Sequence, residues 1–171
     1  ELDPTESALI SICQIHGGTT QNIIPNEVWE EGTVRNLDEE TRDFVEKRMG
    51  EIVENTAKAF RCEGILEYKR FYPSLINDDE FTNYVKDIAI DLLGKEKVIE
   101  LKNPSMGGED FAFFLNEADG TFLSLNNLKV NEDGNVYPHH NSKFDVEEST
   151  FYIGSGILAE VVFRYLNERN S

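Results

Sequence analysis

Residues 7–35 read SALISICQIHGGTTQNIIPNEVWEEGTVR, two apolar, β-branched runs on either side of a segment that holds Gly17-Gly18, Asn22 and Pro25. Runs of this length and composition predict strands, and Gly, Asn and Pro punctuate a loop between them. SALISICQI (7–15) and EVWEEGTVR (27–35) are therefore expected to lie side by side. The connection is long enough to carry function.

Working outward from this pair, Val45, Met49, Ile52, Val53, Ala57 and Phe60 recur at helical spacing, and Asp38 stands where it can cap the helix start. Gly64 then precedes ILEYKRFY (65–72), which predicts a strand, and Pro73 with Asn77-Asp78 closes the unit near residue 77. The order so far is β-β-α-β. A ferredoxin-like layer runs β-α-β-β-α-β, so one strand and one helix are expected ahead of Glu1. The chain also has no initiator Met and opens on a helix-end-like ELDPTE. Both features lead to the expectation of a piece of a longer protein.

The second half predicts a helix over 79–93, with Phe81, Val85, Ile88 and Leu92 on one face, then a strand at KVIEL (97–101). SMGGEDFAFFL follows, with a helix expected from Glu109, and TFLSL (121–125) predicts a further strand. After the turn-rich NNLKVNEDGNVYPHHN, Asp145 and Glu148 have capping-box spacing ahead of a final helix lined by Ile153, Ile157, Val161, Tyr165 and Leu166. Strands alternating with helices place the chain in the α/β class or among α+β layers.

Thirty-three acidic residues against 16 basic ones leave a net charge of −17, which repels phosphate backbones and anionic lipid surfaces. Nucleic-acid and membrane-surface functions are set aside on that ground. No apolar run approaches the roughly 20 residues that cross a bilayer, and no basic, apolar leader opens the chain. A soluble, cytoplasmic protein is expected. Cys13 and Cys62 have neither zinc-knuckle nor disulfide-framework spacing and are expected as small buried hydrophobes.

The three histidines, His16, His139 and His140, all fall in loops beside Gly, Pro or Asn. Imidazole suits zinc, manganese, cobalt or nickel, and an extended His139-His140 could offer only one side chain to one metal; hydrogen-bonding loop histidines are the plainer alternative. Glu109 and Asp110 could serve acid-base chemistry or simply complement a helix dipole, while Gly107-Gly108 before them could present backbone N–H groups to an anion. Arg35 could grip a carboxylate bidentately or form a surface ion pair. Asn22 could donate its amide to an oxyanion or bond its own turn. NEDGN (131–135) lacks the alternating ligands of a calcium loop, and its Asp133-Gly134 predicts a hairpin turn.

Taken in order, HGGTTQNIIPNEVWEEGTVR, YPSLIND, MGGEDFAFFL and HHNSKFD resemble the metal-dependent amidohydrolases that include hippurate hydrolases, auxin-conjugate hydrolases and N-acetyl-diaminopimelate deacetylases. The resemblance implies a partial ferredoxin-like lid and dimerisation domain over residues 1–76. It implies the C-terminal part of a zinc-exopeptidase-like catalytic domain over residues 77–171. It further implies two divalent metal ions in the intact enzyme, Zn, Mn, Co or Ni, with His140 as the one ligand in this chain and no catalytic residue here. By the same matching, His16, Asn22 and Arg35 would reach substrate from the lid, and Gly107, Gly108 and Glu109 would shape the pocket, Gly108 standing where Ser is more usual. The implied reaction is cleavage of the amide bond of an N-acyl amino acid or small peptide by a homodimer joined through the lid, the chain alone being inactive. A non-catalytic binding or dimerisation module is the alternative, and an acidic calcium-binding domain a further one.

Overall fold

β1 (Ala8–Gly17) and β2 (Val28–Asn36) pair antiparallel in the computed structural model, which describes residues 1–3 and 6–169. Pro4 and Thr5 of the helix-end-like ELDPTE lie outside the described residues. The register runs from Ala8 opposite Asn36 to Gly17 opposite Val28 and shifts between Ile12 and Gln14, so Cys13 is the extra residue of a bulge. The two runs are neighbours, as their sequence predicts.

α1 (Glu39–Ala59) starts on Asp38, whose carboxylate accepts from the Thr41 backbone N–H at 2.7 Å and the Thr41 hydroxyl at 2.8 Å. Thr41 and Val45 are buried beneath this first turn. The helix stops with Arg61 in left-handed backbone, φ +61°. Arg61 N–H then donates to Lys58 O, and Cys62 N–H to Ala57 O, the paired bonds of a Schellman stop.

The chain next runs back along α1. Gly64 lies so close that a Cβ there would sit 2.5 Å from Val53 O. Farther on, Arg70 pairs with Asp43 and Glu46, and Arg42 donates to Tyr72 O at 3.3 Å.

α2 (Asp79–Leu93) is capped by Asp78, which accepts from Phe81 N–H at 2.7 Å, and it packs against α4 (Phe151–Arg169). Val85, Ile88 and Val161 form the buried contact, with Phe81, Tyr84 and Ile157 around it. The ring of Tyr165 meets those of Phe81 and Tyr84 edge-on, and Arg164 reaches Asp91 at 2.8 Å. The chain thus forms two compact units, Glu1–Leu75 with Leu101–Phe114, and Ile76–Glu100 with Leu115–Ser171.

Several expected elements do not form. ILEYKRFY, KVIEL and TFLSL are free of strand structure, because a strand exists only through its partner and none is offered among the described residues. At Phe122 a side chain takes the partner's place: Asn77 Oδ1 accepts its N–H at 2.8 Å and Asn77 Nδ2 donates to its C=O at 3.2 Å. The helix expected from Glu109 is the single turn α3 (Ala112–Leu115).

The Asp145–Glu148 capping box is absent too. Asp145 is drawn to Lys129 at 2.8 Å, and Glu147 instead accepts from Ser149 N–H to open a 3₁₀ turn, Glu148–Thr150, ahead of α4. Both cysteines are exposed, Cys13 on the bulge and Cys62 beyond the end of α1, where nothing covers them. Among the described residues, no helix is long and apolar enough to cross a membrane.

Candidate functional site

Arg35, near the end of β2, extends its guanidinium to the Gly107-Gly108 segment within the first unit. A Cβ on Gly108 would lie 2.9 Å from Arg35 Nη1 and 3.2 Å from the Tyr72 ring, so the missing side chain is what lets both approach this backbone. Arg42, Arg48, Arg70 and Arg164 are each engaged by carboxylates. Exposed Arg35 has no hydrogen bond or ion pair with any described residue.

Its neighbours are less free. Gly107 N–H donates to Ser105 Oγ at 3.1 Å, and Glu109 Oε1 accepts from Phe111 N–H at 3.2 Å. With α3 reduced to one turn, the expected anion site at a helix start is not built, since a single turn aligns too few peptide dipoles. What remains at Gly107–Glu109 is a partly exposed wall that a cation and a ring approach at Gly108.

His16, expected in a loop, is a residue of β1 opposite Trp29, because the strand pairing extends as far as Gly17, and it stands with Asn22 at the other end of the ribbon. His16 stacks on Trp29 with ring centroids 4.3 Å apart and planes at 17°, and its Nε2 lies 3.3 Å from Gln14 Oε1. Asn22 Oδ1 accepts from the Thr20 hydroxyl at 3.4 Å, which leaves its amide N–H groups pointing at no described partner. The seven steps from Val28 to Arg35 cover about 23 Å at strand rise. The structure therefore brings Arg35 and Gly108 together and keeps Asn22 away from both.

The PHHN segment is a turn, not an extended run. Asn141 N–H donates to Pro138 O at 3.3 Å, and His140 occupies left-handed backbone with φ +66°. That region costs a β-carbon-bearing residue energy, and such strain gathers at functional positions. His139 lies against Phe144, ring centroids 4.7 Å apart. The exposed His140 ring has no partner among the described residues. It is thus fit to act as one metal ligand, whereas no three His, Cys, Asp or Glu side chains converge as a metal cage among the described residues.

Beside this turn, Tyr137 Oη donates to Asp133 at 2.5 Å and holds that carboxyl below its usual range, while Lys143 lies 5.1 Å over the Tyr137 ring. Asp133-Gly134 does make the expected turn, with Gly134 at φ +79° and Val130 bridged to Val136. Sequence reasoning missed Tyr72 as the neighbour of Arg35 and Tyr137 as the anchor of the His loop. Both are tyrosines next to a proline at a turn, the one signal that could have marked them.

Residues 12–164 match the family model described as Peptidase family M20/M25/M40. The chain is 34% identical over 170 residues to thermostable carboxypeptidase 1 of Saccharolobus solfataricus, covering 98% of itself and 42% of that protein. It is 34% identical over 166 residues to N-acetyl-L-cysteine deacetylase of Bacillus subtilis, covering 97% of itself and 38% of the relative. Among solved structures, the Bacillus subtilis YXEP protein, a dinuclear metal binding peptidase from the M20 family, superposes with a TM-score of 0.77 at 27% identity. That match covers 94% of this chain and 42% of the other. The chain spans about two fifths of the length of the curated relatives it matches.

Proposed function

The chain belongs to peptidase family M20/M25/M40, and from that membership we propose that the protein it is part of hydrolyses the amide bond of N-acyl amino acids or small peptides. Residues 1–76 are the partial ferredoxin-like lid and residues 77–171 the C-terminal part of a zinc-exopeptidase-like catalytic domain. The path β2, α1 and the extended 65–72 segment supports the lid. It is a strand and a helix followed by a segment that does not pair with β2 among the described residues, the chain order of a split arrangement in which one further strand would lie between the two.

The observation that carries the reading is Arg35. Among the described residues no carboxylate engages the Arg35 guanidinium beside Gly108, where it can hold the substrate carboxylate in a planar, bidentate grip. His140 would hold one of two divalent metal ions, and such ions supply Lewis-acid polarisation of the scissile carbonyl. Asn22, a strand's length from Arg35, would offer its amide to the carbonyl oxygen in the site of a second copy, with His16 stacked on Trp29 at the same end of the ribbon. Gly107, Gly108 and Glu109 shape the pocket wall.

One histidine cannot hold two ions, so the 171-residue chain alone is expected to be inactive. Pure chain incubated with N-acetyl amino acids and Zn, Mn, Co or Ni in turn should release no free amino acid. Turnover that scales with chain concentration and stops with chelator would sink this part of the proposal. In the longer protein, His140→Ala should lower the bound metal from two ions per subunit to one, read by elemental analysis.

A further inference from the structure

The wall beside Arg35 carries an aromatic surface as well as a cation. Tyr72 lies against the Gly108 backbone position that Arg35 also reaches, and its ring meets Phe113 edge-on with centroids 6.2 Å apart. Tyr72 is 47% exposed and Phe113 51%, so an apolar face stays open next to the guanidinium. All four residues belong to the first unit. A free cation and an uncovered aromatic pair within side-chain reach of one backbone point suit a ligand that is anionic at one end and apolar at the other.

The geometry points to Tyr72 and Phe113 as specificity-determining residues: they bind the side chain of the amino acid whose carboxylate Arg35 holds, and so select N-acyl derivatives of aromatic and large apolar amino acids over small ones. This rests on the reading of Arg35 as the carboxylate anchor. A ring on the substrate can complete the edge-to-face cluster that Tyr72 and Phe113 begin, and it removes apolar surface from water. A methyl group at the same place reaches neither ring.

The test uses the full 171-residue chain and NMR titration with three probes: N-acetyl-L-phenylalanine, N-acetyl-L-alanine and N-acetyl-L-phenylalaninamide. N-acetyl-L-phenylalanine should bind roughly three- to tenfold tighter than the alanine compound, the range an added aromatic contact supplies, and the amide should not bind measurably. Tyr72→Ala and Phe113→Ala should each weaken N-acetyl-L-phenylalanine by more than they weaken N-acetyl-L-alanine, and Tyr72→Phe should keep the preference. Equal affinity for the two acids, or a proportional loss for both in Tyr72→Ala, overturns the aromatic subsite while leaving Arg35 as anchor. If the amide binds as well as the acid, or Arg35→Gln binds both acids unchanged, the anchor itself is wrong and the subsite falls with it.

Discussion

Asp38, Asp133, Asp145 and Glu147 each hold a local bond that needs the carboxylate form. Thr41 N–H holds Asp38 below its usual range, the Tyr137 hydroxyl does so for Asp133, the Lys129 ammonium for Asp145, and Ser149 for Glu147. A carboxyl lowered in the folded state contributes stability that is complete above its unfolded value and disappears as pH falls through the folded one. The thermal midpoint is therefore expected to be flat above about pH 5 and to fall below about pH 4, where unperturbed carboxyls take up protons. Asp38→Asn keeps a capping side chain without the charge and should flatten part of that acid limb. An acid limb as steep as in the parent chain would remove Asp38 from this account. Two left-handed residues divide at this scale as well. Arg61 is explained by its helix stop, whereas His140 sits in strained backbone that ends no helix and leaves its ring unpartnered.

Among the elements, the long helices were legible and most strands were not. α1 begins where Asp38 predicts and α2 spans the expected 79–93, and their apolar spacing finds Val45, Val85 and Ile88, because a helix satisfies its own backbone within four residues. ILEYKRFY has as much β-branched and aromatic character as β1, yet it stays unpaired, since its composition says nothing of who supplies the other half of each bond. Leu92 and Leu166, on the expected inner faces, remain 47% and 54% exposed, outside the small α2–α4 contact. That contact concentrates on Ile88, 2% exposed against Val85 and Val161. Ile88→Ala is expected to cost about 2–5 kcal/mol. Amide hydrogen exchange should show α2 and α4 losing protection while α1 and the β1–β2 hairpin keep theirs. Equal loss everywhere would mean the two units unfold as one.

At the scale of the whole molecule, both units expose large apolar side chains. Ile12, Ile15, Val28 and Trp29 of the hairpin, and Leu158, Val162 and Phe163 of α4, are among the exposed apolar side chains. Surface of this kind in a chain of net charge −17 asks for protein cover, and an exposed apolar ribbon with open backbone edges is a ready pairing surface. The proposed homodimer through the lid would place its contact there. Light scattering on a dilution series should then give twice the chain mass at high concentration and shift towards one chain mass on dilution. A single chain mass throughout would rule out a lid-driven dimer for this chain.

By itself the sequence determined the starts of α1 and α2, the β1–β2 pair, the turn at Asp133-Gly134 and the loop placement of His139 and His140, but not that of His16, which lies in β1. Apart from the strand pair, these follow from bonds between residues a few positions apart and from the φ preferences of Gly, Asp and Asn. Only the tertiary structure decided that Asp145 goes to Lys129 and that His139 lies on Phe144. It alone set Arg35 beside Gly108 and Tyr72 while Asn22 stays at the far end of the ribbon. Arg35 and Tyr72 stand far along the chain from Gly108, and even for the nearer pairs composition and spacing carry no record of which backbone will fold back against which side chain.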